Sequence, residues 1–342
     1  MEVFYTSPWV PPEWIKAHGL EPRGIWLARD FACAPLPLAA GVCAFANATV
    51  HLAERQPGAA VIFTTHCDQL RRGFDAVAGA AQSRSFLFNL PVTWQTPVAE
   101  RMYVDELRRL GRFLVGLGGQ APEVAMLVEV VRHYGASRRR LLEAASWCPA
   151  RAYAEAVARF HLDGSVQLPQ PRAEVPRLPH EGSSAAAAAE DSRAPVANAV
   201  PLALVGGPLP QSQMVLLDAI ENAGGRVVLN ATEAGERSLT TLLPLDPSPE
   251  NAIDLFARGW LASCVDVFQR PNTRLYDWLR ERLAARRVRG IVLWHYVGCD
   301  LWRAEAQPMR EAFGLPVLLL DADEAAPKRN HGRLEAFLES LR

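Results

Sequence analysis

Short, wholly apolar runs alternate with stretches of helical period along most of this chain, and that alternation leaves few folds open. Ala60-Val61-Ile62-Phe63-Thr64 and Gly290-Ile291-Val292-Leu293-Trp294-His295 are too short for buried helices and too uniformly apolar for strands with one wet face. Such runs predict strands covered on both faces, as in parallel sheets. Residues 3–5, 24–27, 202–205, 226–229 and 316–320 read as further strands. Between them lie predicted helices at 12–18, 211–223, 252–258, 275–286 and 333–341. A long helix is expected from about 98, with Tyr103, Leu107, Leu110, Leu114 and Leu117 at helical spacing and a stop at Gly118-Gly119. More helix follows over 122–160. Strands separated by helices imply an α/β protein whose parallel sheets carry helices on both faces.

The pattern breaks once. From about 163 to 200 neither period survives, four prolines fall between Pro169 and Pro179, and an alanine run follows Ser183-Ser184. This reads as a linker. The expected organisation is an N-terminal α/β domain with a helical extension (1–162), a flexible linker (163–200) and a C-terminal α/β domain (201–342). A chain of 342 residues fits two such Rossmann-like domains.

Composition narrows the function. With 36 basic and 37 acidic residues the formal charge is -1, without the basic excess of a nucleic-acid binder. No apolar run reaches the roughly 18 residues of a membrane span. The N-terminus lacks a signal peptide's basic start and apolar core. A cytoplasmic location is therefore expected, and in that compartment six cysteines point to metal ligation or simple burial rather than disulfides.

Three of the six share a setting. Cys67 closes the run from Val61, and Cys299 closes the run from Ile291; each is followed by Asp and a predicted helix. Cys43 stands just before the helix start Ala44-Phe45-Ala46-Asn47. A helix N-terminus offers unpaired N–H groups and partial positive charge, which favour a thiolate. Loops at the carboxyl ends of parallel strands are also where open α/β sheets place ligands. Three thiolates suit a [4Fe–4S] cluster with one iron left for another ligand. Zinc competes, although Cys-x-x-Cys and His-x-x-x-His pairs are absent. Buried structural cysteine is the plain alternative, and spacing alone leaves all three open.

Longer stretches carry a resemblance. Val10-Pro11-Pro12-Glu13-Trp14-Ile15-Lys16-Ala17-His18-Gly19-Leu20-Glu21-Pro22 resembles the "VPxElixAxGlxP" opening of the 2-hydroxyacyl-CoA dehydratase family, which includes benzoyl-CoA reductase subunits. Cys43-Ala44-Phe45 is similar to its "CPF" site, with Ala44 in place of proline. Cys67-Asp68-Gln69-Leu70-Arg71-Arg72 resembles "CDxxRR" closely. Gly206-Gly207-Pro208-Leu209, Cys299-Asp300 and the terminal Arg333-Leu334-Glu335-Ala336-Phe337-Leu338-Glu339 follow in the family's order. The resemblance implies that Cys43, Cys67 and Cys299 ligate a [4Fe–4S] cluster between two Rossmann-like domains. It implies a partner, either a paralogous second subunit or a second copy, and an ATP-hydrolysing activator iron–sulfur protein that injects one low-potential electron. The substrate class it implies is an acyl-CoA, reduced to a ketyl radical that expels its hydroxyl group.

Single residues remain double-edged. Glu13 is a candidate general base, or a first-turn acid favoured by the helix dipole. His66 is a candidate proton carrier or sulfide partner, or a packed histidine; His295 reads as structural. Arg71 and Arg72 are candidates for offsetting an anionic cluster or contacting CoA phosphates, or form a solvated helix face. Cys33, Cys148 and Cys264 match no ligand position, Asp68 and Asp300 read as helix caps, and Trp94 lines a pocket or packs in the core. No Gly-x-x-x-x-Gly-Lys-Ser/Thr loop and no Gly-x-Gly-x-x-Gly fingerprint after a strand occurs, so neither ATP nor a nicotinamide cofactor is expected on this chain. Three functions stay open: a radical-type acyl-CoA dehydratase or reductase subunit, a non-catalytic electron-transfer or scaffold subunit, and a reductase of small non-CoA substrates.

Overall fold

The computed structural model describes residues 1–27, 42–56, 58–79, 84–170, 199–240, 251–322 and 327–342. Its strands are β1 (Glu2–Tyr5), β2 (Glu21–Gly24), β3 (Ala60–Thr64), β4 (Ser85–Phe88), β5 (Val200–Gly206), β6 (Gly225–Ala231), β7 (Gly290–His295) and β8 (Val317–Asp321). The first six helices are α1 (Pro12–Ala17), α2 (Ala44–Arg55), α3 (Asp68–Ala78), α4 (Pro97–Gly116), α5 (Val124–Ala144) and α6 (Ala150–Asp163). The remainder are α7 (Val215–Asn222), α8 (Ala252–Ser263), α9 (Thr273–Ala285), α10 (Asp300–Ala304), α11 (Ala306–Phe313) and α12 (Pro327–Ser340).

Two four-stranded sheets form, in the orders β2-β1-β3-β4 and β6-β5-β7-β8, and every pairing is parallel. The α/β reading with two Rossmann-like sheets is thus borne out. In each sheet the chain steps to one side of its first strand and then crosses to the other. That reversal opens a crevice at the carboxyl ends of β1 and β3, and again at β5 and β7. All five residues of β3 and all six of β7 are buried, as continuous apolar runs require. Gly206 ends β5 at φ +150°, and a Cβ there would collide with the Trp294 carbonyl, so glycine lets β5 finish hard against β7.

Some boundaries differ from expectation. The second strand occupies 21–24, not 24–27, and Ile25–Leu27 is a 3-10 turn. As an edge strand pairing only with β1, β2 tolerates Pro22, whose missing N–H no second neighbour needs. The helix expected over 122–160 is two, broken at Pro149, which cannot supply an interior N–H. Ser85–Phe88 is a strand that four residues are too few to announce. Of the linker, residues 171–198 lie outside the described residues, as does Cys33.

The two halves share one apolar core, which includes Val3, Phe4 and Phe63 together with Leu202, Phe256 and Trp260. Helix α4 lies against α8, with Arg108 donating to Asp254 at 2.6 Å. Helix α6 packs against both β2 and β6. Trp260 Nε1–H donates to the Pro8 carbonyl at 3.0 Å, joining α8 to the turn after β1. No described helix is long and apolar enough to cross a membrane.

Candidate functional site

Cys43, Cys67 and Cys299 are the N-caps of α2, α3 and α10, and none makes a side-chain capping bond. Asp68 and Asp300, expected as caps, instead occupy the first helical positions. The helices put cysteine at the cap because β3 and β7 deliver the chain there. Thr64 and His295 end their strands, and short turns lead into the helix starts. Cys67 and Cys299 therefore hold equivalent places in the two sheets, each at the carboxyl end beside the reversal point.

Cys299 lies close enough to Cys67 and Cys43 to feel their charge. Burial, with smaller contributions from the nearby Cys67, Cys43 and Asp266, pushes the Cys299 thiol up to about 12 against a bond from the Trp302 N–H. Burial also raises Cys67, while the Gln69 and Leu70 N–H groups pull it down. Cys67 and Cys299 thus rest as neutral thiols, and a bound cation is what would stabilise their thiolates. Gln69 Oε1 accepts from the Cys43 backbone N–H at 2.9 Å, linking the start of α3 to the start of α2. The Phe45 ring on α2 packs against Tyr296, with centroids 5.8 Å apart, so the first half touches the loop before Cys299. Among the described residues no three His, Cys, Asp or Glu close to single-ion distances. A cubane draws its thiolates to separate irons and needs a wider set.

His66 lies partly buried beside Cys67. Its Nδ1 is 2.6 Å from Thr64 Oγ1, and its ring meets Phe268 edge-on at 6.3 Å. Burial holds its imidazole below the ordinary range, with Asp266 raising it and Arg237 lowering it. Asp266 and Arg237 were not singled out from sequence. Arg237 is buried and donates to Asp266 at 2.6 Å, to the Gly206 carbonyl at 2.9 Å and to the Ala231 carbonyl at 3.1 Å. It thereby stitches the ends of β5 and β6 to the segment after α8. A small pocket between the halves is lined by Pro8, Trp9, Arg237, Thr240, Cys264 and Asp266.

Glu13 sits elsewhere in the fold's chemistry. It is fully buried on α1 and ion-paired with Arg138 of α5, whose guanidinium lies 5.1 Å from the Phe160 and Trp260 ring centroids. His295 is held between the Tyr296 carbonyl and Asp321, each 2.9 Å away. Cys264 is buried with its thiol 3.8 Å from the Pro8 carbonyl. Trp94 donates to the Pro271 carbonyl at 2.8 Å with Arg274 over its ring at 3.7 Å, pinning the loop after β4 to the second half. Arg71 pairs with Asp68 at an exposed site.

Two parallel sheets, each with a cysteine N-cap beyond the carboxyl end of one inner strand, define a two-lobed α/β protein. The model of the 2-hydroxyglutaryl-CoA dehydratase, D-component family matches residues 9–341, and the chain belongs to that family. No curated protein matches it. The family resemblance read from the motifs is borne out, and with it a dehydratase-type component.

Proposed function

We propose that this chain is the [4Fe–4S]-bearing subunit of a 2-hydroxyacyl-CoA dehydratase-like or benzoyl-CoA reductase-like enzyme, acting in single-electron reduction of an acyl-CoA thioester. The observation that carries it is the placement of Cys43, Cys67 and Cys299 at three helix N-caps drawn from both halves, with Cys299 near enough to the other two to feel their charge. The donor set fits the group: three thiols, uncapped, at positions where helix N–H groups favour their anions. When bound, the cluster supplies one electron at low potential. The protein's own work is to hold the ligands and handle protons. Gln69 fixes Cys43, and the Arg237–Asp266 pair holds the second half's loop in place behind the thiols. His66, oriented by Thr64, is the proton carrier beside Cys67. Burial of Glu13 against Arg138 supports its first-turn-acid reading over proton transfer.

With no phosphate-binding loop in the sequence, electron injection falls to a separate ATP-hydrolysing iron–sulfur activator, and a paralogous subunit or second copy completes the enzyme. The test is anaerobic purification with iron and acid-labile sulfide analysis, followed by turnover of a 2-hydroxyacyl-CoA with an activator. About four irons and four sulfides per chain are expected for a cubane. Failure to hold iron after anaerobic reconstitution would overturn the assignment.

A further inference from the structure

Asn47 lies on α2 four residues after Cys43. Residues so spaced are neighbours on one helix face, and helical Cα–Cβ bonds tilt toward the N-terminus, so the Asn47 side chain leans toward the Cys43 turn. It is 3 % exposed, and its Nδ2 has no hydrogen-bond partner. The neighbouring Thr49, by contrast, is satisfied, donating to the Phe45 carbonyl at 3.0 Å. A buried polar group left unpaired keeps its full desolvation penalty. Asparagine is also a poorer helix former than the alanines at 44, 46 and 48 around it. An amide kept there at such a penalty calls for an acceptor that arrives after folding, on the Cys43 side.

We propose that Asn47 donates a hydrogen bond from Nδ2 to a sulfur of the group held by Cys43, Cys67 and Cys299, as a positioning residue that raises its reduction potential. The proposal rests on the cluster reading above. Thiolate and sulfide sulfurs accept without needing to donate, which matches the one orphaned donor. Gln269, another buried amide with unpaired atoms, lacks partners at both Nε2 and Oε1 and would need a donor as well, so sulfur does not answer it. Hydrogen bonds to cluster sulfurs tune potential because the added electron makes sulfur a stronger acceptor, and the donor stabilises the reduced form more.

The experiment compares wild type, Asn47→Ala and Asn47→Asp in the full chain, purified anaerobically. Iron content, the midpoint potential from EPR-monitored redox titration, and the melting temperature of the iron-free protein are read together. Both variants are expected to keep wild-type iron. The midpoint should move negative in Asn47→Ala and further in Asn47→Asp, which replaces a donor with an anion. The iron-free Asn47→Ala protein should melt no lower than wild type, because the orphaned amide is gone. Iron retained with an unmoved midpoint in both variants overturns this proposal alone and leaves the cluster standing. Iron absent from wild type overturns the cluster reading and this proposal with it.

Discussion

The Cys43 backbone N–H donates to Gln69 Oε1 at 2.9 Å, so the residue two places after one candidate ligand fixes another from 26 positions away. A neutral hydrogen bond of this kind is worth about 1 kcal/mol net. Gln69→Ala should lower stability by about that amount and speed iron loss to a chelator several-fold, with Gln69→Glu, which keeps the acceptor, close to wild type. The chelation rate checks it. Equal rates in Gln69→Ala and wild type would remove Gln69 from the ligand framework.

The Glu13–Arg138 pair is buried, yet Glu13 Oε2 and Arg138 Nε and Nη2 have no partner. Removing one charge of a buried pair strands the other, at about 3–5 kcal/mol. Glu13→Gln should therefore lower the denaturation midpoint sharply, and the double variant Glu13→Gln, Arg138→Met should recover much of the loss. A proton carrier would behave differently. A fold of undiminished stability with turnover reduced by roughly two to four orders of magnitude would return Glu13 to the chemistry.

What the sequence displayed and what it hid follow from range. The five residues of β3 and six of β7 are legible because burial on both faces leaves an unbroken apolar run. β2 is not, because Glu21-Pro22-Arg23 sits at a sheet edge where apolarity is not demanded. The cysteines stand out by repetition, strand then Cys-Asp then helix. Their supports do not. Gln69 acts on Cys43, Arg237 on Asp266 29 residues on, and Arg138 on Glu13 from 125 residues away. Such roles arise only when the sheets are assembled, and no local pattern encodes them.

Two buried groups set opposing pH dependences. His161 bridges the halves: Ser238 Oγ donates to the Gly235 carbonyl and accepts from His161 Nε2, which leaves Nδ1 to accept from the Tyr5 hydroxyl at 2.8 Å. Burial first, then Arg138, holds its pKa down to about 3. Since the folded value lies below the unfolded one, His161 contributes stability above about 6.5 that is lost as pH falls toward 3. Burial of Glu233 raises its pKa to about 7 against the pull of Arg237. Its contribution is full below the ordinary carboxylate range and is lost as pH rises through 7. Between about pH 4.5 and 6.5 the two offset each other. Urea midpoints at pH 6.5 and 5 should show Glu233→Gln losing stability on acidification more steeply than wild type, and His161→Gln less steeply. Parallel profiles for all three proteins would show that neither group titrates as its burial demands.

Cys299 alone of the three candidate ligands comes from the second sheet, so iron bound between the sheets depends on it. The most direct measurement is iron per chain in anaerobically reconstituted wild type, Cys299→Ser and Cys264→Ser. Wild type and Cys264→Ser should hold about four irons, and Cys299→Ser should lose most of them while staying folded. Full iron in Cys299→Ser, or loss of iron equally in Cys264→Ser, would contradict a cluster held by Cys43, Cys67 and Cys299.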